Sequence, residues 1–166
     1  ISIKDKINCL VCIPRFKDVT SKPTDFNDLA NIEGTDEVKD QINAVLILDG
    51  IPGDFIYENG AIYHQKLLKS PDGSPSTISN KLCSHLLVTA LTRTENSDAW
   101  GRLLEIIDQD NRKHYITMTM ETLATDNGAW LSELLSKGLI PYGDTRMIKS
   151  YLLQCKPKRR LLCANK

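Results

Sequence analysis

Apolar residues along this chain change their spacing several times, and each change marks an element. Ile7-Asn8-Cys9-Leu10-Val11-Cys12-Ile13 is a short apolar run ended by Pro14, which predicts a strand buried in a parallel sheet. Thr24 or Asp25 is expected to cap a short helix through Ile32, because either side chain can accept an orphan amide hydrogen at a helix start. Gly34 should end that turn. Thr35, Asp36 and Glu37 open a second predicted helix to about Leu48, with Val38, Ile42, Val45 and Leu46 at helical spacing.

The period then shortens to two. Phe55 to His64 reads as a hairpin about Asn59-Gly60, a pair that accepts the positive backbone angles of a tight turn. Ser70 to Asn80, with Pro71, Gly73, Pro75 and several hydroxyl residues, is expected to be a loop. Lys81 to Thr94 reads as one long or bent strand, with a turn at Asn96 to Asp98. Trp100 to Ile107 and Arg112 to Met120 form a second predicted hairpin about Asp108 to Asn111. Tyr115, Thr117 and Thr119 share one face of it, and Ile116, Met118 and Met120 the other.

Helical spacing returns with Trp130, Leu131, Leu134 and Leu135, in a helix expected to be capped by Thr125 or Asp126 and ended by Gly138. Asp144 should cap a last helix whose Met147, Ile148, Tyr151, Leu152 and Cys155 form one stripe, and Arg160 to Ala164 a closing strand. The expected architecture is α+β: an antiparallel, partly barrel-like β-sheet with two or three packed helices. Residues 1–48 and 49–166 are the expected divisions.

At 166 residues, 41% hydrophobic and 25% charged, the chain can bury a core of ordinary size. No apolar run approaches the roughly 18 residues of a membrane span and no signal peptide is legible, so no membrane partner and a cytoplasmic location are expected. Ile1, without a methionine, and the run to Lys166 are expected to be cut points within a longer chain. Five cysteines, an odd number, argue against a disulfide framework. Cys9 and Cys12 have CxxC spacing, but no second pair or histidine pair follows, so they read as small residues in a strand rather than metal ligands or a redox pair.

Net charge is zero but unevenly placed. Residues 1 to 80 hold 8 Lys or Arg against 12 Asp or Glu, and residues 81 to 166 hold 13 against 9. After Asp144 come Arg146, Lys149, Lys156, Lys158, Arg159, Arg160 and Lys166 with no acidic residue. Such a segment can neutralise phosphates by counterion release, or stand as a solvated edge. Lys149, Lys156, Lys158, Arg159 and Arg160 are the candidate nucleic-acid contacts. His64, His85 and His114 have no ligand spacing, and adjacent Ser84 and His85 should point to opposite faces of a strand. Trp100, Tyr115 and Trp130 could stack on bases but read first as packing residues.

The order of Trp100-Gly101-Arg102-Leu103-Leu104-Glu105, Lys113-His114-Tyr115, Met118-Thr119-Met120-Glu121, Leu131 to Leu139, Tyr151-Leu152-Leu153 and Lys158 to Cys163 resembles the front half of the family catalogued as domain of unknown function 927. The likeness covers about residues 50 to 166. That resemblance implies a DNA primase-helicase of a phage, plasmid or genomic island, whose P-loop ATPase follows this region. Lys22-Pro23-Thr24-Asp25-Phe26-Asn27-Asp28 in turn resembles the tail of a Toprim domain, the metal-dependent fold of primases. Asp25, Asn27 and Asp28 match that tail.

The implied parent would use Mg and ATP, but no cofactor is expected here. There is no GxxxxGK[ST] text, and Asp25 and Asp28 alone cannot assemble a two-metal centre, so helix capping is their expected role. No catalytic residue and no metal ligand is expected. What the resemblance implies is an accessory module that binds or positions DNA beside the helicase ATPase. The alternative is a protein-interaction or oligomerisation module. Expected partners are DNA, the remainder of the primase-helicase chain and a second copy.

Overall fold

The computed structural model describes residues 11–69, 75–96 and 99–162, which fall into two compact units, Ile1–Asp49 and Gly50–Lys166. In the first unit, helix α1 spans Phe26–Glu33 and is capped by Asp25, whose carboxylate accepts from the Asn27 and Asp28 amides at 2.8 and 3.0 Å. Gly34, at φ 94°, breaks the chain before α2, Thr35–Leu48. Asp36 and Glu37 in its first turn favour the positive end of the helix dipole.

The strand expected at Ile7 to Ile13 is corrected where it can be seen: residues 11–13 carry no strand, and Val11 and Ile13 are 57% and 73% exposed. Residues 7–10 lie outside the described residues. A parallel strand needs a neighbour, and among the described residues this unit has no strand to supply one. The chain instead runs along α2, with the Arg15 amide donating to Gln41 Oε1 and Gln41 Nε2 returning a bond to the Arg15 carbonyl.

The second unit opens with β1, Phe55–Glu58, and β2, Ala61–Lys69. Asn59 and Gly60 both have positive φ, 49° and 71°, which is the tight turn that the Asn-Gly pair predicts. Strand β3 then runs Pro75–Ser84 and pairs with β2 from Lys69↔Pro75 to Ala61↔Ser84. The expected loop is therefore wrong over Pro75 to Asn80, while 70–74 lie outside the described residues. Those serines face water on a solvent-exposed ribbon, so strand pairing there needs no apolar alternation.

The run Lys81 to Thr94 is bent, as its length allowed. Strand β3 ends at Ser84, the chain turns at His85, and β4 spans Leu86–Arg93 in a different sheet. Strands β5, Trp100–Ile107, and β6, Lys113–Thr119, complete the second hairpin about Asp108 to Asn111. Asp108 Oδ1 closes that turn by accepting from the Asp110 and Arg112 amides, both at 2.9 Å. The turn expected at Asn96 to Asp98 lies partly outside the described residues.

Helices α3, Met120–Ala124, α4, Ala129–Ser136, and α5, Thr145–Gln154, follow, and β7, Arg160–Leu162, closes the unit parallel to β4. The fold is α+β. Its strands form two open sheets, β1-β2-β3 and β6-β5-β4-β7, rather than a closed barrel. Helix α3 was not legible in the spacing, and it corrects the expected cap of α4: Thr125 ends α3, while Gly128 starts α4 with Asn127 Oδ1 accepting from the Ala129 amide. Asp144 caps α5 as expected.

The buried face of the four-stranded sheet carries Leu86, Val88, Leu104, Ile106, Ile116 and Met118. Helix α5 brings Ile148, Tyr151 and Leu152 to the core, all fully buried. The stretch between α4 and α5 lines the outer edge of β3: the Ser84 amide donates to the Ile140 carbonyl at 2.9 Å, and the Tyr142 amide donates to the Leu82 carbonyl at 2.7 Å. Part of an otherwise open edge is thereby paired.

Candidate functional site

Four of the five candidate cations lie within five residues, in the turn that carries the chain from α5 into β7. Lys156, Lys158, Arg159 and Arg160 are all exposed, and the segment holds no carboxylate. Two backbone bonds hold the turn against the sheet. The Lys156 amide donates to the Gly50 carbonyl at 2.8 Å, and the Leu91 amide of β4 donates to the Arg159 carbonyl at 3.0 Å. Between the cations, Pro157 is buried, and the Arg160 guanidinium donates to the Pro157 and Arg159 carbonyls.

Gly50 is part of this clamp. A Cβ there would meet the Pro157 nitrogen and Cα at 2.7 Å, distances that side chains do not tolerate. Gly50→Ala must push the basic turn outward, and we expect it to cost about 1–3 kcal/mol as overpacking. A urea unfolding curve of the chain would check this, with the midpoint lowered and the slope unchanged.

Lys149 stands apart from that turn. It lies on α5 and donates to the Thr125 carbonyl and to Asp126, at 3.1 and 3.0 Å. Arg146 is likewise paired, with Asp144 in the first turn of α5. Lys166 lies outside the described residues.

Asp25 and Asp28 serve the start of α1. Asp28 accepts from the Thr24 amide and hydroxyl, which holds its carboxyl below the usual range. Among the described residues no three His, Cys, Asp or Glu side chains gather to hold an ion. Cys83 and Cys155 are buried in the second unit, and burial pushes both thiols up to about 12, far from a reactive thiolate. Cys9 and Cys163 lie outside the described residues.

One polar cluster escaped sequence reasoning. His85, at the bend between β3 and β4, receives or donates at both ring nitrogens: Tyr57 OH of β1 lies 2.6 Å from Nδ1, and Glu105 Oε1 of β5 lies 2.9 Å from Nε2. Tyr115 of β6 donates to Glu105 Oε2 at 2.8 Å, and Lys113 stands 3.8 Å from Oε1. The bond from His85, then that from Tyr115, holds the Glu105 carboxyl below its usual range despite burial. Burial, then the Glu105 charge, pushes the Tyr57 phenol up.

An ionised Glu105 can only accept, so His85 donates to it from Nε2, and in the neutral ring Nδ1 is then the acceptor for the Tyr57 hydroxyl. A carboxylate orienting an imidazole is half of a nucleophile-activating arrangement. Here the other imidazole nitrogen is occupied by a phenol that keeps its proton, so the chain of bonds acts as a joint between the two sheets. Its members are 28 and 20 residues apart in sequence, beyond the reach of any motif. Ser84 points away, as alternation requires, and accepts from the Ile140 amide.

With that geometry in view, the matches to known proteins can be placed. A family model described as a domain of unknown function, DUF927, matches residues 55–166. The chain belongs to this family. The match takes in both sheets of the second unit and begins at β1. Among the curated proteins and the solved structures, nothing matches the chain. In this DUF927 domain, Trp130 is 5% exposed and serves the core, Tyr115 is tied to Glu105, and Trp100 remains 43% exposed. No helix among the described residues is long and apolar enough to cross a membrane.

Proposed function

We propose that this chain is part of a DNA primase-helicase of a phage, plasmid or genomic island, and that its DUF927 domain binds or positions DNA beside the helicase ATPase. Residues 1–48 would be the tail of a Toprim-like domain with its connecting helix. The parent would supply Mg and ATP chemistry elsewhere, in the cytoplasm. The observation that carries the DNA reading is the exposed Lys156 to Arg160 turn, whose four cations stand together on a backbone pinned to β4 and Gly50. A phosphate backbone rewards such a cluster through counterion release.

Replacing Lys158, Arg159 and Arg160 together by alanine should weaken DNA binding and reduce the slope of log affinity against log salt by roughly 2 for single strands. A fluorescence anisotropy titration at several salt concentrations measures both. Unchanged affinity and slope would sink the reading.

The second reading, an interaction or oligomerisation module, draws on the first unit. Helix α2 has no buried residue, and a cavity of about 420 Å³ is lined by Val11, Ile13, Ala44, Val45 and Leu48 among others. Sedimentation of the chain without nucleic acid separates the two, because an assembly module self-associates on its own.

A further inference from the structure

Resting on the DNA reading, we propose that the end of the four-stranded sheet is a stacking site for an unpaired base, with Trp100 as its platform and single-stranded DNA as its ligand. The register places the site. Trp100 is the β5 partner of Arg93 on β4, and Arg93 is in turn the partner of Leu162 on β7. Directly paired residues share a sheet face, so Trp100, Arg93 and Leu162 form one row across three adjacent strands, roughly 10 Å wide.

All three are exposed, Trp100 at 43% and Leu162 at 62%. The next row inward is Arg102, Leu91 and Arg160. There the helical cover begins: Arg102 is buried and donates from Nη2 to the Leu153 carbonyl of α5 at 2.6 Å. The outer row thus lies one row beyond the buried Arg102, at the end of the sheet, and the basic turn of Lys156, Lys158 and Arg159 enters β7 on the inner side of that row.

Two features of the sheet end select a single strand. An indole left in water beside a cationic edge offers a flat apolar face to a base, and such contacts are insensitive to base identity. Arg93 stands within the row and Arg160 one row inward on β7, so positive charge that attracts a phosphate backbone lies beside the indole. A duplex hides its base faces and could use only the charges. A single strand can use both.

The chain has two tryptophans, and Trp130 is buried, so quenching of indole emission by added DNA reports on Trp100. The test titrates the whole chain with a thymidine oligonucleotide, an abasic strand of equal length and a duplex. We expect quenching and tightest binding with the thymidine strand. Trp100→Ala should lose roughly 5- to 150-fold in affinity for it with the salt slope unchanged, and Trp100→Phe should keep most of the affinity.

The Lys158, Arg159 and Arg160 triple variant should do the reverse, lowering the slope while the thymidine strand keeps its advantage over the abasic one. If abasic and thymidine strands bind equally, with no quenching, stacking is wrong and phosphate binding stands. If no strand binds at any salt, both readings fall together.

Discussion

Tyr151→Ala should lower the unfolding free energy of the chain by about 3–5 kcal/mol, the range for deleting a buried aromatic ring. Tyr151 is fully buried on α5, where its ring leans on Phe55 with centroids 5.4 Å apart, and its hydroxyl donates to the Leu86 carbonyl at 2.9 Å. Leu86 is the first residue of β4, immediately past the bend at His85. A single side chain therefore ties the last helix to the hairpin of β1 and to the start of the central strand. Alanine removes the ring, leaves a cavity and strips the Leu86 carbonyl of a donor.

Tyr151→Phe separates these contributions: it keeps the ring and should cost about 0.5–1.5 kcal/mol for the lost hydrogen bond. Thermal unfolding of the alanine variant should fall by roughly 10–20 °C. Equal losses in the two variants would show that the ring contributes nothing, against the packing described above.

The second large effect is expected at His85. His85→Ala removes the main partner of a largely buried carboxylate, whose side chain is 12% exposed, and leaves Tyr115 and the more distant Lys113 facing it. Taking the closest donor from a largely buried carboxylate costs about 1–3 kcal/mol, more for a charged group, so the expected loss is roughly 2–3 kcal/mol at neutral pH. The pH dependence has a definite sign. Glu105 is held below its usual range in the folded state, so the stability it contributes is present above the ordinary carboxylate range and is lost as pH falls through that range toward its folded value.

In His85→Ala the largest cause of that depression is gone. The variant should therefore lose less on acidification, its curve of stability against pH lying lower and flatter than the parent's between about pH 6 and 3. Urea unfolding at a series of pH values measures it. Parallel curves would mean that Glu105 draws its low pKa from groups other than His85.

Most local structure was legible because its causes are local. Asp25, Asp144 and the Asn59-Gly60 pair act on backbone groups within four residues, so their caps and turn follow from the text alone. The alternation of β6 was read correctly from Tyr115 to Thr119, because one face meets a core and the other meets water, but Met120 leaves the strand to start α3. At two places a distant partner overruled the text. Pro75 to Asn80 is polar enough to be a loop and becomes a strand because β2 extends far enough to pair with it. Residues 11–13 are apolar enough for a strand and have none to join among the described residues.

The candidate interface divides in the same way. The sequence by itself determined that cations accumulate after Asp144, that Lys158, Arg159 and Arg160 are contiguous, and that the chain has α+β character. Charge count and residue period are properties of the text. Only the tertiary structure decided that Lys149 is drawn toward Asp126 rather than toward the basic turn, and that Trp100 lies beside Arg93 at the sheet end while Trp130 is spent on the core. It also brought Tyr57, His85 and Glu105 within hydrogen-bonding distance. Each of these outcomes depends on strand register and on the bend at His85, and register is set by pairing across tens of residues that no local spacing records.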